Sequence, residues 1–278
     1  MARAPHEGAG EGGRRRSTRH PPVLKKYGQH FLSDERILDG IVNALAATPT
    51  DTIVEVGPGR GSLTDILAER SGRVIAVEID RALAEQLREK YRDRPNVEIV
   101  QADVLETDLQ ALAGGDFLLI GNVPYYITTP IVFKALDPPI PRRSVFLVQR
   151  EVADRMTAKE DTESYGALSV NVAVVANTQQ VMSVPASSFK PRPKVESAVI
   201  RLTPRMAPLV NGETLPGFRA FVQAMFGQRR KQMQRALRTV RGMSAVEAGE
   251  VLERAEIAIS ARPEVVSPEG FARLFALL

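Results

Sequence analysis

Apolar positions along the chain change their spacing in a regular way. Ile37, Leu38, Ile41, Val42 and Leu45 recur at helical intervals behind Ser33, Asp34 and Glu35, residues suited to a helix N-terminus, so one amphipathic helix precedes the first strand. Short β-branched runs then alternate with helical stretches. Strands are predicted over 52–56, 74–78, 97–101, 117–120 and 145–148, with helices starting at Ser62, Arg81 and Thr129. That rhythm predicts βαβ units and a parallel, doubly wound α/β sheet. Strands near Val181 and over 195–202 follow with no helix between them, which suits an antiparallel pair at the sheet edge. The Pro- and Gly-rich stretch 204–216 reads as a linker, and helical periods near 217–240, 244–254 and 267–277 predict a small all-α domain. The expected domains are therefore 23–203 and 204–278. Residues 1–22, where glycines flank Arg14, Arg15 and Arg16, are expected to be a disordered basic arm.

Composition narrows the chemistry. The chain has 278 residues, 44% hydrophobic and 25% charged, and no apolar run approaches the roughly 18 residues of a membrane span, so a soluble, cytoplasmic protein is expected. It has no cysteine, which removes disulfides, thiolate nucleophiles and cysteine-held metal. The three histidines, His6, His20 and His30, all fall within the first 30 residues. Nothing beyond that point can supply a histidine base, a catalytic triad or a His-rich metal site, and no metal is expected. The first 26 residues carry a charge of +5 and leave the rest at −1. A nearly neutral body with local basic clusters suggests a polyanion met at particular surfaces.

The first strand ends in Glu55-Val56-Gly57-Pro58-Gly59-Arg60-Gly61, where glycines let the backbone turn sharply and approach a ligand closely. An ordinary strand-to-helix turn would look the same. The second strand, however, ends at Glu78, about 20 residues on, where an acid can accept both ribose hydroxyls of an adenosine cofactor. A nicotinamide dehydrogenase would want a third glycine where Ser62 stands. The Gly-x-Gly-x-Gly spacing is more typical of S-adenosylmethionine enzymes. Asp103 closes the third strand where cofactor ligands collect, although a turn aspartate would also fit.

Gly121-Asn122-Val123-Pro124-Tyr125-Tyr126 follows the fourth strand and answers a difficulty of nitrogen alkylation. The lone pair of an exocyclic base amine is delocalised into the ring. A site must accept hydrogen bonds from the amine and favour the positive charge that grows as a methyl arrives. The Asn122 side-chain oxygen and a backbone carbonyl fixed by Pro124 can do the first, and the Tyr125 ring can stack on the base and do the second. A capping Asn, a turn Pro and core tyrosines are the plainer reading. Two basic segments could meet RNA: the loop Ser188-Phe189-Lys190-Pro191-Arg192-Pro193-Lys194-Val195, and 228–238 with five cations and no acid, where Lys231, Arg235 and Arg238 would share a helix face.

Together with Tyr27-Gly28-Gln29-His30-Phe31-Leu32 and Gln228-Arg229-Arg230-Lys231, these motifs resemble the ribosomal small-subunit RNA adenine dimethyltransferase family over about residues 23 to 278. The resemblance implies a Rossmann-like class I methyltransferase sheet with a C-terminal helical RNA-binding domain, and S-adenosylmethionine as cofactor. The implied reaction is N6,N6-dimethylation of two adjacent adenines near the 3′ end of the small-subunit RNA, with a role in subunit biogenesis. By the same resemblance His30, Leu32, Gly57, Glu78, Asp103 and Asn122 would hold the cofactor, and Tyr125 and Phe189 would sandwich the flipped base beside Asn122 and Pro124. Lys190, Arg192, Lys194, Arg229, Arg230, Lys231 and Arg235 would meet RNA. The family often has Asn at position 30, Leu at 123 and Asn at 126, where this chain has His, Val and Tyr. Tyr165-Gly166-Ala167-Leu168-Ser169, Arg262-Pro263-Glu264 and Pro268-Glu269-Gly270-Phe271 look more like the small-subunit enzymes than the large-subunit, antibiotic-resistance class. A non-catalytic assembly factor is the reading from another class. The expected partner is the small ribosomal subunit, and the expected state a monomer.

Overall fold

The computed structural model describes residues 30–278; the basic arm and Tyr27-Gly28-Gln29 lie outside the described residues. Seven strands form one sheet in the order β4-β3-β2-β5-β6-β9-β7, where β2 is Thr52–Val56, β3 Arg73–Glu78, β4 Val97–Gln101, β5 Leu118–Asn122, β6 Arg143–Gln149, β7 Ala176–Val184 and β9 Ser197–Pro204. The strands β2 to β6 are mutually parallel, and β9 and β7 close the sheet antiparallel, with β9 inside the pair. The edge pair expected from the sequence is this β7–β9 hairpin, bulged between Gln180 and Met182. A separate two-stranded ribbon joins β1 (Phe31–Leu32) to β8 (Phe189–Lys190).

The strands are apolar in runs because both faces are covered. Ile53, Val74, Leu118, Ile120, Val145 and Leu147 point to one side, against α1 (Glu35–Leu45) and α2 (Ser62–Arg70). Their neighbours Val54, Val56, Ile75, Val77, Leu119, Phe146 and Val148 point to the other, against α4 (Leu109–Ala113) and α5 (Thr128–Leu136). The alternation is the period-2 geometry of a strand with a core on each side. Asp34 caps α1 by accepting from the backbone N–H groups of Arg36 and Ile37. Asp80 caps α3 (Arg81–Lys90) in the same way at Ala82 and Leu83.

Three helices were not legible in the spacing: α4, α6 (Arg150–Thr157) and α7 (Ala167–Ala173). The last is only seven residues long, and its central five are all buried, so it has no polar face to set a period. The expected helix over 217–240 is two: α8 (Leu215–Gly227) and α9 (Met233–Arg241). Phe218, Phe221, Val222 and Met225 form the buried stripe of α8. Continued by three and four residues, that stripe would fall on Gln228 and Arg229. The chain turns instead, with Lys231 N–H donating to Gln228 O at 2.7 Å, and restarts with Met233 in the core. Lys231 therefore lies in the turn, not on a helix face with Arg235 and Arg238.

The Pro-rich stretch after β9 is laid against the sheet. Arg205 N–H donates to Val175 O and Leu209 N–H to Val174 O, and Val210 is buried. One hydrophobic cluster runs from Val54 and Ile75 in the sheet through Leu168 and Val170 of α7 to Phe218, Leu237, Leu252 of α10 (Ala245–Arg254), and Phe271 of α11 (Pro268–Ala276). The buried Tyr165 hydroxyl donates to Val266 O at 2.7 Å, and Ser169 Oγ donates to Arg155 O and receives Gly166 N–H. The Tyr-Gly-Ala-Leu-Ser segment is thus a seam between the sheet and the C-terminal helices.

Candidate active site

A cavity of about 240 Å³ opens at the carboxyl ends of β2, β3, β4 and β5, bounded by the glycine loop, the segment after β5 and the β1 strand. It lies where β2 leads to β3 on one side and lies beside β5 on the other, the switch point at which open α/β sheets bind ligands. Gly57, Gly59 and Gly61 all have positive φ, at 65°, 59° and 83°. A side chain would strain each, and at Gly61 a Cβ would lie 2.5 Å from the Tyr91 hydroxyl. The loop is a cradle that needs glycine.

Glu78 stands beneath the loop, 4% exposed. Its Oε2 accepts Gly59 N–H at 3.0 Å and its Oε1 accepts Asp80 N–H at 2.9 Å. Burial pushes its pKa up, against those two backbone bonds. Each oxygen keeps a second lone pair, so this acceptor pair suits the hydroxyls of a vicinal diol in the cavity. Asp103 lines the cavity too, its Oδ1 held by Leu105 N–H at 2.9 Å. Apolar Leu38, Val77, Ile79, Val104 and Ile131 line the wall between. Positive φ at the loop glycines, a buried acid at the end of β3 and an apolar slot together fit an adenosine cofactor.

Glu55 was read only as the residue before the loop. It is 1% exposed, accepts Thr64 Oγ–H at 2.6 Å, and burial pushes its carboxyl up to about 8, the Thr64 bond opposing. The signal was in plain sight, an acid inside a run of buried β-branched residues.

On the opposite wall stands Asn122, the last residue of β5. Its carboxamide Nδ2 donates to the main-chain oxygen of His30 at 3.1 Å, and since that oxygen can only accept, the amide orientation is set and Oδ1 remains as acceptor. Gly121 must be glycine, for a Cβ there would meet Val56 O at 2.7 Å. The Pro124 carbonyl is engaged in the following turn, accepting from Ile127 N–H and Thr128 Oγ–H. Tyr125 is half-buried, its hydroxyl within 2.7 Å of Ser197 Oγ and its pKa raised by burial. Tyr126 projects at the cavity mouth, 60% exposed.

Of the residues the sequence singled out, the structure brings His30, Leu32, Gly57, Glu78, Asp103, Asn122, Pro124 and Tyr125 to this one cavity. Phe189 is not among the residues that line the cavity: it is 2% exposed, in one hydrophobic cluster with Leu32, Leu38 and Val184 where β8 pairs with β1. An aromatic on a two-residue strand beside an apolar patch is drawn into the core. The ring stacked on Tyr125 is that of His30, at 5.6 Å between centroids and 26° between planes. Lys190, Arg192 and Lys194 are exposed on the same loop, and Arg229, Arg230, Lys231, Arg235 and Arg238 are exposed at the turn and on α9. Arg229 is paired with Glu264 at 2.7 Å, so the segment's cations do meet an acid, brought by the fold from beyond α10.

Among the described residues no cluster could hold a metal and no helix is long and apolar enough to cross a membrane. The parallel sheet closed by an antiparallel hairpin, with a glycine loop, a paired acid and an apolar slot at the switch point, defines a class I methyltransferase, for which S-adenosylmethionine is the methyl donor. Within that class the chain belongs to the ribosomal RNA adenine dimethylase family, whose model matches residues 23–278. It is 46% identical over 221 residues, 77% of either chain, to "Ribosomal RNA small subunit methyltransferase A" of Alkaliphilus oremlandii. It is 41% identical to the protein of the same name from Alkaliphilus metalliredigens, over 90% of both. Among solved structures it resembles the 23S rRNA methyltransferase ErmE, with TM-score 0.70, 32% identity, and 89% of this chain and 99% of that one covered. It also resembles a dimethyladenosine transferase from Plasmodium falciparum, with TM-score 0.77, 25% identity, and 89% and 96% covered. The protein is an rRNA adenine dimethyltransferase.

Proposed function

We propose that the protein dimethylates N6 of two adjacent adenines near the 3′ end of small-subunit rRNA during subunit biogenesis, acting as a cytoplasmic monomer. The observation that carries this reading is Asn122: its NH2 is committed to His30 O, so Oδ1 is left as the acceptor beside the Tyr125 ring. When bound, S-adenosylmethionine supplies an electrophilic methyl on a sulfonium sulfur. Glu78 and Asp103 would hold its ribose and adenine, with Gly57, Leu32 and the His30 main chain around them.

The Asn122 oxygen accepts an N6 hydrogen and helps to localise the amine lone pair on nitrogen, out of conjugation with the ring. Methyl transfer to N6 would leave that nitrogen cationic. The Tyr125 face favours that charge, and the surplus N6 proton passes to solvent. A second round on the same nitrogen needs the same acceptor arrangement and no titrating base. Exposed Lys190, Arg192 and Lys194 beside the cavity, with Arg229, Arg230, Lys231 and Arg235 on the helical part, supply phosphate contacts.

The likeness to ErmE favours one second reading, a large-subunit substrate. The test is nucleoside mass spectrometry after incubation with S-adenosylmethionine and either undermethylated small subunits or large-subunit RNA. N6,N6-dimethyladenosine in the small-subunit tube alone is the expected result. Product in the other tube alone supports the second reading, and none in either tube supports an assembly factor.

A further inference from the structure

The glycine loop is held from behind by the far end of α3. Tyr91, which closes that helix, is 6% exposed, and its hydroxyl lies 3.0 Å from Gly61 O and 2.8 Å from Asp65 Oδ1. Both partners accept, so the hydroxyl keeps its proton, and burial together with the Asp65 carboxylate pushes its pKa up. Beside it Lys90 Nζ donates to Asp65 Oδ2 at 2.7 Å and to Arg60 O at 3.3 Å. Two consecutive loop carbonyls are thus gripped by two consecutive residues at the end of α3. The same helix begins behind Asp80, whose N–H donates to Glu78 Oε1 at 2.9 Å. Thus α3 is tied to the buried acid at one end and to the glycine loop at the other, and the two meet where Gly59 N–H donates to Glu78 Oε2 at 3.0 Å. Tyr91, Asp65 and Lys90 are not among the residues that line the cavity.

We propose that Tyr91 is a positioning residue for the cofactor: by holding Gly61 O, its hydroxyl fixes the turn closed by Gly61 N–H on Pro58 O, and so keeps Gly59 N–H on the carboxylate of Glu78. This rests on the cofactor placement proposed above, with Glu78 at the ribose. Glycine adopts either sign of φ readily, so a loop with three glycines of positive φ has many alternatives when nothing holds it. A ligand that needs one of those conformations binds more weakly by the fraction of time the loop spends outside it. The N–H groups of Gly59 and Gly61 secure the loop from within, and the Tyr91 hydroxyl secures it from without. Lys90 and Asp65, with side chains 41% and 52% exposed, form a screened pair and contribute less than the buried hydroxyl.

The test uses the full chain and two variants that each remove one buried tyrosine hydroxyl. Tyr91→Phe frees Gly61 O, whereas Tyr165→Phe frees Val266 O at the seam with the C-terminal helices. Calorimetric affinity for S-adenosylmethionine is measured well below both melting points, so a lost hydroxyl that only loosens the fold leaves it unchanged. Tyr91→Phe should weaken that affinity about fivefold, the scale of one net hydrogen bond. With undermethylated small subunits as substrate, its KM for S-adenosylmethionine should rise in step while kcat stays within about twofold of the parent. Tyr165→Phe should melt lower yet bind the cofactor as the parent does. Parent-like affinity in Tyr91→Phe, a fall in kcat at unchanged KM, or an equal loss of affinity in Tyr165→Phe would each overturn the proposal. Glu78→Ala separates the two levels of the argument. If it binds the cofactor as the parent does, the placement at the ribose fails and this proposal with it; if it binds weakly while Tyr91→Phe does not, this proposal fails alone.

Discussion

On the cofactor side of the crevice the polar groups are tied together through the backbone: Glu78 takes the N–H groups of Gly59 and Asp80, and the three loop glycines hold φ values that side chains resist. On the base side the contacts are made by side chains on short connections, with Tyr125 on Ser197, His30 on Tyr125, and the His30 ring on Pro191. The first half is anchored at the ends of central parallel strands, its conformation held by the backbone. The second is built from rings and hydroxyls on short connections, the His30 and Tyr125 rings lying 5.6 Å apart between centroids. Under the proposed function, a cofactor of one shape would meet a rigid cradle, whereas a base that must leave an RNA stack would meet side chains on short connections.

The comparison breaks most sharply at Asn122. Asn122→Ala with Tyr125→Ala should lower kcat by at least about 10²-fold, the scale on which removing one transition-state hydrogen-bonding group acts, while subunit binding stays within a few-fold. Turnover and pull-down on the same subunits check it. Parallel loss of binding would mean that the base half also anchors the RNA.

The mirror experiment is Glu78→Ala. Hydrogen bonds to a charged group contribute about 1.5 to 3 kcal/mol, so calorimetry should show S-adenosylmethionine bound about 10- to 100-fold more weakly. Tyr125→Ala should leave that affinity within about twofold. If both variants weaken the cofactor equally, the two halves are one cooperative unit.

Much of this crevice was readable because backbone demands leave few residue choices. Gly57, Gly59 and Gly61 answer positive φ, Gly121 answers the close approach of β2, and Glu78 falls where β3 ends, so spacing alone located the glycine loop and the buried acid of the cavity. The base half was readable in composition but not in arrangement. A Phe on a basic loop can stack on a base or enter the core, and local pattern does not encode the pairing of β8 with β1, across more than 150 residues, that leaves Phe189 2% exposed. The basic run 228–238 misled for a similar reason. Helical spacing persists on paper through Gln228 and Arg229, but continuing the helix would place both on the buried face of α8. The buried α7 and the Arg229–Glu264 pair depend on tertiary neighbours that local pattern does not encode.

Glu55 extends the comparison to pH. Its folded pKa of about 8 lies above an ordinary value of 4.5, because burial disfavours the charge. Between those values the folded state holds the proton and the unfolded state has released it, so stability falls as pH rises through that window. Its contribution is fully present below about 4.5 and lost once pH passes about 8, each unit of difference corresponding to about 1.4 kcal/mol. Thermal melts of the parent and Glu55→Gln between pH 5 and 9 should diverge, the amide variant losing less stability towards alkaline pH. Parallel curves would mean that the carboxylate is solvated in the folded state.

The smallest effect expected is at the helical part, where a basic cluster can be read as one patch or as residues of unequal freedom. Arg230 and Lys231 are exposed at the turn, while Arg229 gives its Nε to Glu264 at 2.7 Å. A cation that neutralises one phosphate contributes about 0.7 to 0.9 to the slope of log binding constant against log salt concentration. Neutralising Arg230 and Lys231 together should therefore reduce the slope by roughly 1.4 to 1.8. Arg229→Gln should change it by clearly less, since Arg229 already has a carboxylate to leave, and should instead lower the melting temperature slightly, as expected for a partly exposed ion pair. Filter binding to small-subunit RNA from 50 to 300 mM salt measures the slopes directly. Equal slope changes would show that Arg229 leaves Glu264 when RNA arrives, and would make the pair a contact exchanged on binding rather than a fixed part of the seam.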